Sequence, residues 1–340
     1  MILDSKKMLA ELNKARSKFK SDSRIKECFH YNHDECNDKI IQAHSLQKNG
    51  VLNILESEEN GNNVVYSFLH LKPHGIRWYG FDPIGKKSAS TFHGFCGYHD
   101  TNLFKEIENN GFDIENDEHC FLLSYRSFAK EYHAKIETNK GFGTNEFFNT
   151  KENKEKQKQY IDGSGLAIRD MTIVKNKLNE ALRNRTFDKL EYFTYSIEMT
   201  IPVAASSAIS PSFSLDGTVL NKSNSLEDVY QNIIVTVLPT KTKTHVLLSY
   251  FPEDSRSVKY IDDIEKLNDY DLEKVISSIL IGEIENTFIS PTIWKKMNTN
   301  QKQQLMDELT LTMPHLQPIQ TTMFISELNL FKPKYAIKHA

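Results

Sequence analysis

Phe95-Cys96-Gly97-Tyr98-His99-Asp100-Thr101-Asn102-Leu103-Phe104 is the stretch from which the fold can be read. It sets a Cys-x2-His pair just ahead of Leu103, Phe104 and Ile107, whose spacing marks one face of a helix. Two donors three residues apart at a helix start lie around its first turn, where both reach one ion. Thiolate sulfur and imidazole nitrogen are the donors a structural zinc takes, and four of them close a tetrahedral shell. The other two donors lie upstream, in Cys28-Phe29-His30-Tyr31-Asn32-His33-Asp34-Glu35-Cys36. Cys28 with Cys36 gives two thiolates across a loop, and His33 with Cys36 is the alternative chelating turn. Thiolates bind zinc more strongly, so the expected ligands are Cys28, Cys36, Cys96 and His99. The competing reading is buried apolar cysteines beside ordinary surface histidines. Cys120 fits that reading, because it opens an amphipathic run with Phe121, Leu122, Tyr125, Phe128 and Tyr132.

Composition narrows the classes. A chain of 340 residues, 39% of them hydrophobic, suits two domains or one large one with a substantial core. No segment approaches the roughly 20 apolar residues of a membrane-spanning helix, and the opening stretch does not resemble a signal peptide. Four cysteines without a disulfide pattern point to a reducing cytoplasm. The formal net charge of -3 excludes binding to nucleic acid through bulk charge, though not through a local basic surface. Near the N-terminus Lys6, Lys7, Lys14, Arg16, Lys18, Lys20, Arg24 and Lys26 outnumber Asp4, Glu11, Asp22 and Glu27. Such a run is ordinarily a solvated helix face, with phosphate contact as the alternative.

Periodicity outlines the rest. Met8, Leu9, Leu12 and Ala15 form a buried stripe on a helix over 5–20, ahead of the cysteine loop. Residues 39–44 and 51–55 are expected to pair as a hairpin around Asn49-Gly50. Val64 to Leu71 and Ile76 to Phe81 read as strands, followed by a turn-rich basic stretch and by Phe92 to Phe95 leading back to the Cys-x2-His pair. Helices are expected at 118–137 and 165–184, separated by an exposed linker from Thr138 to Gln159 that is poor in aliphatics. Phe193, Tyr195, Ile197, Met199 and Ile201 alternate as a half-buried strand ending at Pro202, and 232–238 and 244–251 form a hairpin. Helices near 258–268, 271–285 and 294–311 close the chain. Gly163-Ser164-Gly165 reads as an ordinary turn or cap opening a helix, lacking the Lys-Ser/Thr of a phosphate loop. Glu283, Glu285 and Asn286 read as a solvated or capping helix edge.

The order Cys28, Cys36, a strand ending in Ala43-His44, then Cys96-x2-His99 opening a helix resembles the HNH, or ββα-metal, nuclease family in its zinc-stabilised treble-clef form, over roughly residues 25–110. The resemblance implies that His44 is the general base on water, that Cys28, Cys36, Cys96 and His99 hold structural zinc, and that Asp100 helps to bind a catalytic Mg or Mn. Asn102 is a neighbouring alternative to Asp100. The family's asparagine before the helix-opening cysteine is missing: Ser90, Thr91, Phe92 and His93 stand there, and His93 fills the role only with a shift in position. Ala43-His44-Ser45-Leu46-Gln47-Lys48 and Phe92 to Asp100 also resemble bacterial proteins of phage-defence loci.

The expected architecture is therefore α+β: a zinc-stapled, HNH-like module with a β insert over 1–115, a helical segment over 116–186, and a mixed helical and antiparallel β region over 187–340. The expected function is a metal-dependent nuclease acting on DNA or RNA, an antiphage effector whose C-terminal region meets a trigger or protein partner. The alternative is a noncatalytic zinc protein serving recognition.

Overall fold

The hairpin at 232–251 lies within a large sheet, between β7 (Val203–Ile209) and β6 (Glu191–Ile197). In the computed structural model, which describes residues 10, 14, 17–37, 39–74, 77–109, 111–144, 151–221, 227–311 and 325–337, its strands β8 (Ile233–Pro239) and β9 (Thr244–Tyr250) pair antiparallel. Every residue of β8 is buried. Such a strand must be covered on both faces. Alternation divides its side chains: Val235 and Val237, with Val246 and Leu248 of β9, join one apolar cluster, while Ile234, Leu238 and Leu247 join another.

The remaining strands are β1 (Ile40–His44), β2 (Ser57–Glu59), β3 (Asn62–His74), β4 (Arg77–Gly85), β5 (Thr91–Cys96), β6 (Glu191–Ile197), β7 (Val203–Ile209) and β10 (Thr287–Ile289). Eight form one antiparallel sheet in the order β2-β3-β10-β7-β8-β9-β6, with β4 paired to β3. The sheet thus draws strands from before residue 115 and from after residue 186. β1 and β5 form a separate antiparallel pair, with Ile40 opposite Cys96 and His44 opposite Thr91.

Helices cover both faces. After a short helical stretch at 17–23 (α1), they are α2 (Val51–Leu55), α3 (Gly97–Asn109), α4 (Asp117–Thr144), α5 (Lys151–Asn184), α6 (Ser255–Glu265), α7 (Asp269–Gly282), α8 (Pro291–Lys296) and α9 (Thr299–Leu311). Ile261 of α6, Ile276 and Ile279 of α7 and Ile293 of α8 pack on one side of the sheet. Phe121, Tyr125 and Phe128 of α4, Leu178 of α5, and Phe29, Phe95 and Phe104 from around β5 and α3 share the cluster on the other. Small hydroxyl residues let α4 approach the sheet closely: Ser124 bonds Ser249 at 2.6 Å and Ser127 bonds Thr236 at 2.8 Å. Each pair satisfies two buried hydroxyls at once. Among the described residues no helix is long and apolar enough to cross a membrane.

Several expectations are corrected. Residues 51–55 are helix α2, not the second arm of a hairpin, because Val51, Leu52 and Leu55 are buried at helical spacing and β1 pairs with β5 instead. The expected linker is largely helix. α4 continues to Thr144 and α5 begins at Lys151, since Lys, Glu and Gln are good helix formers whose polarity does not make them loop. Asn139 ties the two helices by donating to the Ile161 carbonyl at 2.9 Å, and Phe142 stacks on Tyr160 at 5.0 Å. Gly163-Ser164-Gly165 lies inside α5 rather than opening it, with the Ser164 hydroxyl donating to the Tyr160 carbonyl. Strands β7 and β10 follow where no strand was expected, and Asn286 is buried rather than solvated. The apolar stripe Met8, Leu9, Leu12 and Ala15 lies outside the described residues, as do Lys6, Lys7 and Arg16.

Candidate metal centre

Cys28 and Cys36 arrive on the loop ahead of β1, Cys96 ends β5, and His99 sits in the first turn of α3. Backbone bonds fix that convergence: Phe29 N–H donates to the Gly94 carbonyl at 2.7 Å and Gly97 N–H to the Lys39 carbonyl at 3.2 Å. The four potential ligand atoms lie within 4.8 Å of one another. His99 Nδ1 is 3.4 Å from Cys28 Sγ, 3.5 Å from Cys36 Sγ and 3.2 Å from Cys96 Sγ. A tetrahedron with metal–sulfur bonds of about 2.3 Å and metal–nitrogen bonds of about 2.0 Å has S···N edges of roughly 3.5 Å. The cluster matches that size. Of the two turns weighed at the first half of the site, Cys28 with Cys36 is the one in the group, and His33 is outside it.

The chemistry of the donors fits a cation. Burial, then the backbone and thiol neighbours, leaves the Cys28 thiol with a raised pKa, and burial followed by the charge of Cys28 pushes Cys36 up to about 12. A positive ion would favour the ionised form of the Cys28 and Cys36 thiols, so binding it would release protons. His99 has its pKa lowered, chiefly by burial, which keeps the imidazole neutral and able to coordinate. Its Nε2 faces Glu35 Oε2 at 3.5 Å, and its ring stacks on His30 at 3.8 Å. A carboxylate behind a ligating histidine orients the ring and strengthens it as a ligand. Cys120 is buried apart from the group, its thiol donating to the Ile114 carbonyl.

His44 and Asp100 have a different setting. The Nδ1 of His44 lies 3.0 Å from the Ala89 carbonyl, which can only accept. The neutral ring therefore carries its proton on Nδ1 and presents Nε2 as a base. Burial lowers the His44 pKa and the cations Lys48 and Arg126 add to it, while the Ala89 carbonyl and Glu108 pull the other way. Asp100 has its pKa raised by burial against the pull of Arg126, and its Oδ1 is buried with no hydrogen-bond partner among the described residues. Arg126 and Glu108 act on both His44 and Asp100. Arg126 is itself 1% exposed, ion-paired to Glu108 at 2.8 Å and stacked over Phe104 at 3.7 Å. His93 does not join this group, its charged neighbours being Arg24, Glu137 and Lys26. Asn102 spends its amide on the Tyr98 carbonyl.

Sequence reasoning missed Glu35, Ala89, Glu108 and Arg126. Glu35 was findable, as the carboxylate next to a ligand cysteine; the Ala89 carbonyl carries no sequence signal. No protein-family model matches this chain, and no curated protein or solved structure is significantly similar to it.

Proposed function

We propose that this chain is a zinc-stapled protein of HNH-like, treble-clef type that hydrolyses phosphodiester bonds in DNA or RNA with Mg or Mn, using His44 as general base. The observation that carries the reading is the Ala89 hydrogen bond, which leaves His44 Nε2 unprotonated at the end of β1. Support also comes from the order of parts: a two-cysteine loop, an antiparallel strand pair, and a helix whose first turn brings the remaining two ligands. Zinc suits a Cys3His group better than the hard cations do.

In this reading His44 Nε2 takes the proton of the attacking water as its oxygen bonds to phosphorus, and the bond to the leaving ribose oxygen breaks, solvent returning a proton to that oxygen. The Nδ1–H stays on the Ala89 carbonyl and stabilises the imidazolium that forms. A divalent cation would offset charge on the scissile phosphate, and Asp100 is the carboxylate offered to it. Residues 187–340 would receive the trigger or protein partner of a defence effector. The noncatalytic reading, zinc-supported recognition, is favoured by one observation. Among the described residues, Cys28, Cys36, Cys96 and His99 are the one group of three or more His, Cys, Asp or Glu donors close enough to hold an ion.

His44→Ala tests the choice. It is expected to keep metal content and melting temperature while losing roughly 10²- to 10⁴-fold of Mg- or Mn-dependent cleavage of single- or double-stranded DNA or RNA. The wild-type acid limb should have its midpoint below about 6.5, because burial holds the ring neutral. Equal cleavage by His44→Ala removes the base. A wild-type chain that cuts none of these substrates, alone or with the partner it is found bound to, gives way to the recognition reading.

A further inference from the structure

Ser90 follows Ala89, whose carbonyl holds His44, and it adopts a left-handed φ of 59°. That region is uncommon outside glycine and costs on the order of 1–3 kcal/mol unless its surroundings enforce it. Here they do. The Ser90 carbonyl accepts from Ser45 N–H at 2.9 Å, and its hydroxyl accepts from Leu46 N–H at 3.0 Å. The hydroxyls of Ser45 and Ser90 also bond each other. Ser45 is the residue after His44, so these bonds tie both sides of the imidazole's anchor together.

The network does not end in the strand pair. The Ser45 hydroxyl bonds Ser206 Oγ of β7 at 2.7 Å. Asn286, just before β10, donates through Nδ2 to Ser45 Oγ at 3.1 Å, Ser206 O at 2.9 Å and Ser206 Oγ at 2.7 Å. All four residues are buried, Ser206 completely. Buried polar groups that are fully partnered fix one arrangement, whereas removing a partner leaves the others with an unmet bond. The residues next to His44 and Ala89 are thereby referenced to the eight-stranded sheet at β7 and the start of β10, Ser206 lying 161 and Asn286 241 positions from Ser45.

We propose that Ser90, Ser206 and Asn286 are positioning residues for His44: through Ser45 they hold the Ala89 carbonyl on Nδ1, and so fix which ring nitrogen is the base. The proposal rests on His44 being the base, and it makes β7 and the start of β10 part of the machinery. Movement of β7 or β10 by a bound partner would reach His44 through three hydrogen bonds, by way of Ser45, Ser90 and the Ala89 carbonyl, without any contact to the metal ligands.

The test is spectroscopic as well as kinetic. Full-length protein with its metal, labelled with ¹⁵N-histidine and assigned with His44→Gln, is compared with Asn286→Leu, Ser206→Ala and Ser90→Gly. Ser90→Gly keeps the left-handed turn accessible while deleting the hydroxyl, so it carries the test if the other two fold poorly. Expected is a wild-type His44 ring in the Nδ1–H form. In the variants the two tautomers should mix and the ring midpoint should fall further below the ordinary value, because the Ala89 carbonyl that supports the protonated ring is lost. Cleavage should fall about 10- to 100-fold in kcat, with KM little changed. Folded variants whose His44 keeps the wild-type tautomer and midpoint overturn the proposal, whatever their activity. A tautomer that mixes as expected in a chain that never cleaves nucleic acid leaves the positioning intact and removes the nuclease reading.

Discussion

The strand pair β1–β5 with α3 and the eight-stranded sheet are held by different physics. Two helical layers cover the sheet with apolar side chains, and β8 has no exposed residue. The strand pair is two strands and a helix, with cysteine and histidine ligands where a larger unit would place more aliphatics. Hydrophobic burial supplies the first, and an ion held by the Cys3His group would help to close the second. The two meet in a shared apolar cluster, where Phe29, Phe95 and Phe104 pack with Tyr125 of α4. The difference teaches that stability need not be spread evenly: with a metal bound, the part carrying the candidate chemistry would depend on an ion that the sheet's apolar core does not use.

The largest expected effect breaks that contrast deliberately. Cys96→Ser, or a strong chelator on the wild type, should release the metal, because binding energy in so small a unit is folding energy, on the order of 10 kcal/mol for isolated zinc modules. Hydrogen exchange should then show β1, β5 and α3 losing protection while β7, β8 and β9 keep theirs. Stoichiometric metal in Cys96→Ser would eliminate the site. Simultaneous loss of protection in the sheet would show that the two regions form one cooperative unit.

A smaller effect comes from the other side. Leu248 of β9 is fully buried against the α6 and α7 face. Leu248→Ala should cost about 2–5 kcal/mol in denaturant unfolding, as lost burial plus a cavity. The cost should be the same with and without chelator. A cost that changes when metal is removed would mean that the far face of the sheet feels the ion, contrary to the division drawn above.

The parts legible in the sequence were those whose chemistry is local. Cys96 and His99 announce themselves because a ligand pair three residues apart needs nothing distant to be recognised, and β8 and β9 follow from alternation around a short turn. β7 was missed because Ala204, Ala205, Ser206, Ser207 and Ala208 are small and carry little hydrophobic signal; Ala204 and Ala208 pack on the α4 side of the sheet and Ala205 on the α6 and α7 side, partners that lie elsewhere in the chain. β10 is three residues long and exists because β3 and β7 flank it. Asn286 looked solvated because its partner Ser45 lies 241 positions away. The first half of the cysteine site, Cys28 with Cys36, follows from ligand strength, and the geometry groups both with Cys96 and His99. His44 was placed by resemblance, but its tautomer depends on a backbone carbonyl that no residue name records.

His133 sharpens the comparison at the junction, with the smallest effect of the three. It projects from α4 against Phe92 and Gly94 of β5, 2% exposed, with its ring 5.6 Å from Phe92. Burial lowers its pKa to about 3, helped by Lys175, Lys130 and His93. The folded chain therefore keeps this ring neutral, while the unfolded chain protonates it near the ordinary value of about 6.5. Below that value the unfolded state binds the extra proton, so the stability due to this group is whole above pH 6.5 and declines as the pH falls toward 3. Between pH 6.5 and 5 the loss should reach up to about 2 kcal/mol. His133→Leu removes the titration while filling similar space, so the stability difference between wild type and variant should shift in the variant's favour on acidification. Measuring that difference at each pH cancels the acid sensitivity of the metal ligands, which both proteins share. If the difference stays constant from pH 7.5 to 5, the junction between the strand pair and α4 is open to water at His133, and the shared apolar cluster does not seal the two regions together there.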